Sequence, residues 1–108
     1  MFVVISRYLI PKGFAGLTLF PFIIFRNKYY STNKTTLNHE KIHIRQQAEL
    51  LVLPFYLFYF LDFLRQYLKY KNGFLAYKNI VFEREAYANE SDLSYLRQRK
   101  FFGFWIYF

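Results

Sequence analysis

The sequence predicts a small α+β domain in which helix dominates, an N-terminal β-hairpin followed by about four helices. Three observations predict it. Short β-branched and aromatic runs bounded by turn residues lie before Arg26. From Thr36 onward the apolar residues recur at helical spacing. The 108 residues contain no Cys, no internal repeat and no low-complexity linker, so positions 1–108 read as a single domain.

The elements follow in order. Phe2–Ile5 is a first strand, Pro11-Lys12-Gly13 a turn, and Leu17–Phe25 a second strand that completes the hairpin. Pro21 stands inside that second strand without an N–H for the ladder, which sends the strand to a sheet edge or gives it a bulge. Asn27–Thr36 is a polar loop whose end offers N-caps to a helix running to about Leu53, where Pro54 stops it. Pro54 then opens the next helix at its first position. That helix, PFYLFYFLDFLRQYLKY, gathers Asp62, Arg65, Gln66 and Lys69 on one face. Lys71-Asn72-Gly73 is a turn, Ile80–Glu90 a third helix, and Ser91 caps a fourth from Asp92 to about Lys100. The segment FFGFWIYF that follows is almost purely aromatic.

Composition narrows the function. Apolar residues make up 55% of the chain and aromatics 25%, which excludes intrinsic disorder despite a formal charge of +8. The absence of Cys excludes disulfides, iron–sulfur ligation and thiolate zinc sites. Nucleic-acid binding is disfavoured, because the basic residues are scattered from Arg7 to Lys100 and no binding motif accompanies them. The longest uncharged stretches, Gly13–Phe25 and Leu50–Leu61, fall short of the ~18–20 apolar residues that span a bilayer. Met1–Ile10 carries Arg7 and lacks a cleavage site, so it is a poor signal peptide; the expected location is the cytoplasm or the inner membrane face. Phe55–Leu61 and Phe101–Phe108 are unusually aromatic for open surface, and Arg97, Arg99 and Lys100 lie beside the latter. Either they meet an anionic membrane surface, or they form a core or a homodimer interface. A chain this short buries only ~60–65% of its extended surface, so a metal, a partner or a membrane should add stability.

One constellation carries chemistry. The only two His residues flank a Glu in His39-Glu40-Lys41-Ile42-His43. On a helix, positions i and i+4 share a face, so both imidazoles point the same way at a spacing that suits two ligands of a tetrahedral zinc ion. Glu40 projects beside them, placed to take a proton from a metal-activated water. Ile44, Ala48 and Leu51 form a separate apolar stripe expected to anchor the helix. Chance produces this motif roughly 0.002 times in a chain of this composition, a product of residue frequencies. A third ligand that leaves one position open must be a carboxylate or a weaker group such as Tyr. Glu49 lies on another face of the His helix, Asp62 is set among aromatics, and Glu90 and Asp92 read as helix-end charges. The run Phe82-Glu83-Arg84-Glu85-Ala86-Tyr87-Ala88-Asn89 remains. Gln46 and Gln47, one turn past His43, are placed to orient a ligand or the facing helix.

The HExxH pentapeptide followed by a distant Glu-rich helix resembles the gluzincin branch of the zincin metallopeptidases, reduced to a minimal single domain. The resemblance covers about Leu17 to Asn89 in element order, and only the two motifs are specific. It implies a third zinc ligand from the second helix, with two competing alignments. Glu83 is the ligand if Glu83-Arg84-Glu85-Ala86 is the motif, with Tyr87 one turn on; Glu85 is the ligand if Glu85-Ala86-Tyr87-Ala88-Asn89 is, with Asn89 as its supporting partner. The family pattern favours Glu83. The resemblance further implies one Zn2+ per chain, Glu40 as general base in peptide-bond hydrolysis, and a Tyr such as Tyr87 or Tyr95 at the oxyanion. The substrate would be an extended peptide or protein segment adding to the edge strand. The alternative is a zinc-stabilised module of the same shape that binds, at a membrane or to a partner, without catalysis.

Overall fold

The computed structural model describes residues 1–108 as an α+β fold, 61% helical, in which six helices follow a small three-stranded sheet. The strands are β1 (Phe2–Ile5), β2 (Gly16–Leu19) and β3 (Phe22–Phe25), in the order β1-β3-β2. β2 and β3 form an antiparallel hairpin, and β1 lies parallel on the other side of β3. The expected hairpin of Phe2–Ile5 with Leu17–Phe25 is therefore corrected. Pro21 offers no N–H to a ladder, so the long run breaks at the cis Phe20–Pro21 bond and pairs with itself. Ile23, Ile24 and Phe25 of the central strand are all buried, while β1 and β2 supply the two edges. Phe14 N–H closes the Pro11–Phe14 turn on the Pro11 carbonyl at 3.2 Å, with Gly13 at φ +92° in the left-handed position that glycine favours. Gly16 admits no side chain, since a Cβ there would lie 2.8 Å from the Ile24 carbonyl oxygen.

The expected loop Asn27–Thr36 contains a short helix, α1 (Lys28–Thr32), and the start of α2 (Lys34–Leu50). Two Asn residues organise it: Asn27 Oδ1 accepts from Tyr30 N–H, and Asn33 Oδ1 accepts from Thr36 N–H. α2 ends at Leu51 (φ 68°), and α3 (Val52–Tyr70) sets off at 111° to it. The break thus falls three residues before Pro54, which sits inside the first turn of α3, where a missing N–H costs no helical bond. No single helix is long and apolar enough to cross a bilayer. Asn72 caps a helix the sequence left unassigned, α4 (Gly73–Asn79), and α5 (Val81–Asn89) follows directly. Asp62 Oδ2 accepts the Val81 N–H at 2.7 Å and so caps α5 from α3. The last helix, α6, covers only Tyr95–Gln98, with Asp92 rather than Ser91 bonding back to Ser94 N–H. A 3-10 turn spans Gly103–Tyr107.

The apolar core gathers Phe55, Ile80, Val81, Phe82 and Phe104. The two aromatic runs are thereby divided: Phe55 and Phe104 are buried, while Leu57, Phe60, Trp105 and Ile106 are more than half exposed. α2 is the unusual element. Ala48 and Leu51 of its expected anchoring stripe are exposed, and its buried residues are Ile42 together with Asn38, His39, Glu40, His43, Gln46 and Gln47. Asn38, mid-helix and no cap, donates from Nδ2 to the carbonyls of Asn89, Glu90 and Asp92. Arg99, expected beside a membrane, is instead buried, donating to Glu49 at 2.6 and 3.0 Å and to both oxygens of Glu85. Arg99→Met would strand two buried carboxylates, and urea unfolding should report a loss of about 3–5 kcal/mol.

Candidate metal centre

The buried polar residues of α2 divide between two neighbours. His39, His43 and Gln46 stand at i, i+4 and i+7 and face α5; Glu40 and Gln47, also seven apart, face β2. Glu83 completes the first group from α5. Its Oε1 lies 3.0 Å from His39 Nε2 and 3.1 Å from His43 Nε2, and the two Nε2 atoms are 3.2 Å apart. All three residues are buried.

The surrounding bonds determine what these atoms present. Gln46 Nε2 donates to the Phe82 carbonyl at 3.0 Å and to Glu85 Oε1 at 2.9 Å, so Gln46 Oε1 is an acceptor. His43 Nδ1, 2.7 Å from that oxygen, must therefore carry the proton. His39 Nδ1 faces Glu90 Oε1 at 3.4 Å in the same sense. Both Nε2 lone pairs are thus turned onto the Glu83 carboxylate, whose other oxygen accepts from the Tyr59 hydroxyl at 2.6 Å. Three electron-pair donors converging away from water demand a cation. In the chain alone that cation is a proton. Burial opposes charge on His39, yet hydrogen bonds to Glu83 and Glu90 and the negative charges of Glu83 and Glu40 outweigh it and raise the imidazole to about 10. Burial likewise opposes charge on His43, and Glu83 raises it nonetheless. Burial would raise Glu83, but His43 charge and the bonds from both imidazoles hold it far below the usual carboxylate range. Burial and the Glu83 charge push the Tyr59 hydroxyl up, keeping it a donor.

The donor set also fits a metal by distance. Ligands ~2.0–2.1 Å from a tetrahedral zinc ion stand about 3.3–3.4 Å from one another, close to the 3.0–3.2 Å found here. Two neutral imidazoles and one carboxylate suit zinc, and each imidazole has an acceptor behind it.

Of the two candidate carboxylates, Glu83 turns to the imidazoles and Glu85 turns away. Residues two apart on a helix point to different sides, and Glu85 is spent on Arg99, Tyr95 and Gln46. Glu85 as alternative ligand is corrected accordingly. Asn89, its expected supporter, donates to the Glu85 carbonyl and to Tyr107 Oη, remote from the imidazoles. Gln47 touches no ligand. It donates to the Thr18 carbonyl at 2.8 Å and accepts from Phe20 N–H at 2.7 Å, fastening α2 to β2. Tyr95 bonds to Glu85 and is not at the site. Tyr87 is, one turn beyond Glu83: its ring lies 4.6 Å from that of His39, and its hydroxyl is 3.2 Å from Tyr77 Oη. Sequence reasoning missed Thr18, Tyr59 and Tyr77 and set Glu90 aside. Glu90 was findable, since Glu83, Tyr87 and Glu90 stand at i, i+4 and i+7; one Tyr among eleven was not.

Glu40 bonds to none of His39, His43 and Glu83. Its Oε2 accepts from Thr18 Oγ1 at 2.6 Å, and the residue lines two adjoining cavities. One, of about 240 Å3, runs past His43 and Glu83 between β2 and the aromatic side chains of α3. The other, of about 260 Å3, runs past His39 and Glu90. Gly16 borders both, and Phe14 packs edge-on to Tyr77 at 5.9 Å where they meet. Comparison with known proteins returns no match among family models, curated proteins or solved structures.

Two outcomes are expected. Glu83→Ala should weaken zinc binding more than Glu85→Ala, measured by zinc titration of the chelator-stripped protein. The second concerns pH. Because His39 is raised from 6.5 to about 10 without metal, its contribution to stability is whole below pH 6.5 and is lost as pH rises toward 10. Thermal melts in chelator should fall across that interval, while zinc, which requires neutral imidazoles, should bind more tightly across it.

Proposed function

We propose that this chain is a zinc-dependent peptidase of the gluzincin kind, with His39, His43 and Glu83 holding the metal and Glu40 acting as general base. The convergence of two imidazole Nε2 atoms and one Glu83 oxygen within 3.2 Å, beside the carboxylate of the same HExxH turn, carries the reading. A bound Zn2+ supplies a Lewis acid for the scissile carbonyl and a water of pKa near ~7. Everything else falls to the chain. Thr18 Oγ1 holds one oxygen of Glu40 and leaves the other to take a proton and pass it to the leaving amine. Tyr77 and Tyr87 hydroxyls, paired at 3.2 Å, belong to residues that line the cavity past His39 and Glu40 and would serve as donors to a developing oxyanion.

An extended substrate peptide would lie along β2. Because Arg26 N–H bonds to the Ala15 carbonyl and Leu17 opposes Ile24, the backbone groups of Gly16 and Thr18 face away from β3. The Thr18 carbonyl is already taken by Gln47 and Tyr56, which leaves Thr18 N–H and both groups of Gly16 for β-augmentation. A chain of charge +8 would act in the cytoplasm or against the anionic inner membrane face.

The depth of the three ligands, 4–7% exposed, favours a second reading in which the metal staples a non-catalytic module. Glu40→Gln separates the two. It should keep zinc content and fold yet lower hydrolysis of a mixed fluorogenic peptide library by ~10²–10⁴-fold. Parent protein that holds zinc and hydrolyses nothing would move the assignment to the structural module, and lost zinc in the variant would make Glu40 a ligand.

A further inference from the structure

The surface separates charge in a way the metal centre does not use. Of seven acidic residues only Asp92 is exposed, whereas twelve of fifteen Lys and Arg are, all but Arg26, Lys41 and Arg99. Along α3, Leu53, Leu57, Phe60, Leu64 and Leu68 are 83, 57, 57, 42 and 74% exposed. Their spacing of i, i+4, i+7, i+11 and i+15 makes one apolar stripe about 23 Å long at 1.5 Å per residue, and Lys71 ends it. Phe58 and Leu61 carry the stripe sideways into a groove of about 410 Å3 whose lining includes neither imidazole. Phe102, Trp105 and Phe108 form its other wall, and Arg65 sits at its rim, 60% exposed.

We propose that this face docks on an anionic lipid bilayer, with α3 in the interfacial plane and the groove admitting an acyl segment. An interfacial helix needs an apolar face, an outward-facing aromatic at headgroup level, and flanking cations. α3, Trp105 (69% exposed) and the Arg65–Lys71 flank supply each. A second copy of the chain is the poorer occupant, because two +8 surfaces repel and almost no exposed carboxylate offsets them. A phosphate backbone would meet the cations but leave the leucine stripe in water. Tyr56 and Tyr59, which line the cleft, leave α3 about 80° and 140° round from the centre of the stripe at ~100° per residue, on the side away from Phe58 and Leu61, so the docked face lies beside the cleft and does not include it. The proposal stands apart from the metal reading.

Trp105 is the only Trp and reports directly. The full chain is titrated with phosphatidylcholine vesicles with and without phosphatidylglycerol, following Trp105 emission and co-sedimentation. Docking predicts a blue shift and co-sedimentation with the anionic vesicles, weakened by salt, and roughly ten-fold or greater loss of affinity in Leu57→Gln/Leu64→Gln/Leu68→Gln. Those positions are exposed, and circular dichroism checks that the fold is kept. Absence of binding to anionic vesicles would overturn the proposal, as would a triple variant that binds like the parent. A concentration-dependent dimer in buffer that the triple variant abolishes would assign the face to a second copy instead.

Discussion

α2 turns its polar side inward. Nearly half of the buried residues of this small fold are polar or charged, and six of them, from Asn38 to Gln47, lie on that one helix. Buried polar groups are tolerated only when bonded, and here no buried side-chain nitrogen or oxygen lacks a partner. The neighbouring elements are placed by that requirement. β2 lies where Thr18 meets Glu40 and Gln47, α5 where Glu83 meets His39 and His43, and the Asn89–Asp92 corner where three carbonyls meet Asn38.

Behind the two imidazoles and Glu83 the same logic continues without interruption. His43 leans on Gln46, Gln46 on Glu85, and Glu85 on Arg99, which also grips Glu49 and so ties the segment after α6 to α2. The His43 imidazole is thereby held through buried groups whose loss would cost several kcal/mol. The only unresolved demand in this network is electrical: Glu83 and two lone pairs face one another, and a cation must stand among them. Protons meet the demand when the chain is alone, and the dication we propose would meet it by binding all three donors at once.

What the sequence made legible follows from how local each signal is. The relation of His39, Glu40 and His43 is a property of one helix and was readable from spacing alone. The choice between Glu83 and Glu85 was not, because both lie on α5 and the decision rests on which side of it meets α2. Tyr87 and Glu90, in line with Glu83, record that side; Asn89, in line with Glu85, records the other. Helix dominance and the α5 span were legible from periodicity. Strand pairing was not, since Phe2–Ile5 can join either edge of Phe22–Phe25 and only the self-pairing around Pro21 removes one of them. The division of each aromatic run between core and surface was equally hidden, because buried Phe55 and exposed Phe58 differ only in the helical face they occupy.

The convergence of two imidazoles and Glu83 on one cation is the claim on which the rest depends. Anomalous scattering collected at the zinc absorption edge from crystals of the zinc-loaded protein tests it most directly. A single strong peak is expected, bonded at ~2.0–2.1 Å to His39 Nε2, His43 Nε2 and a Glu83 oxygen, with Glu40 outside the bonded set. A peak held by Glu85 or Glu90 in place of Glu83, or no peak between the imidazoles, would contradict it.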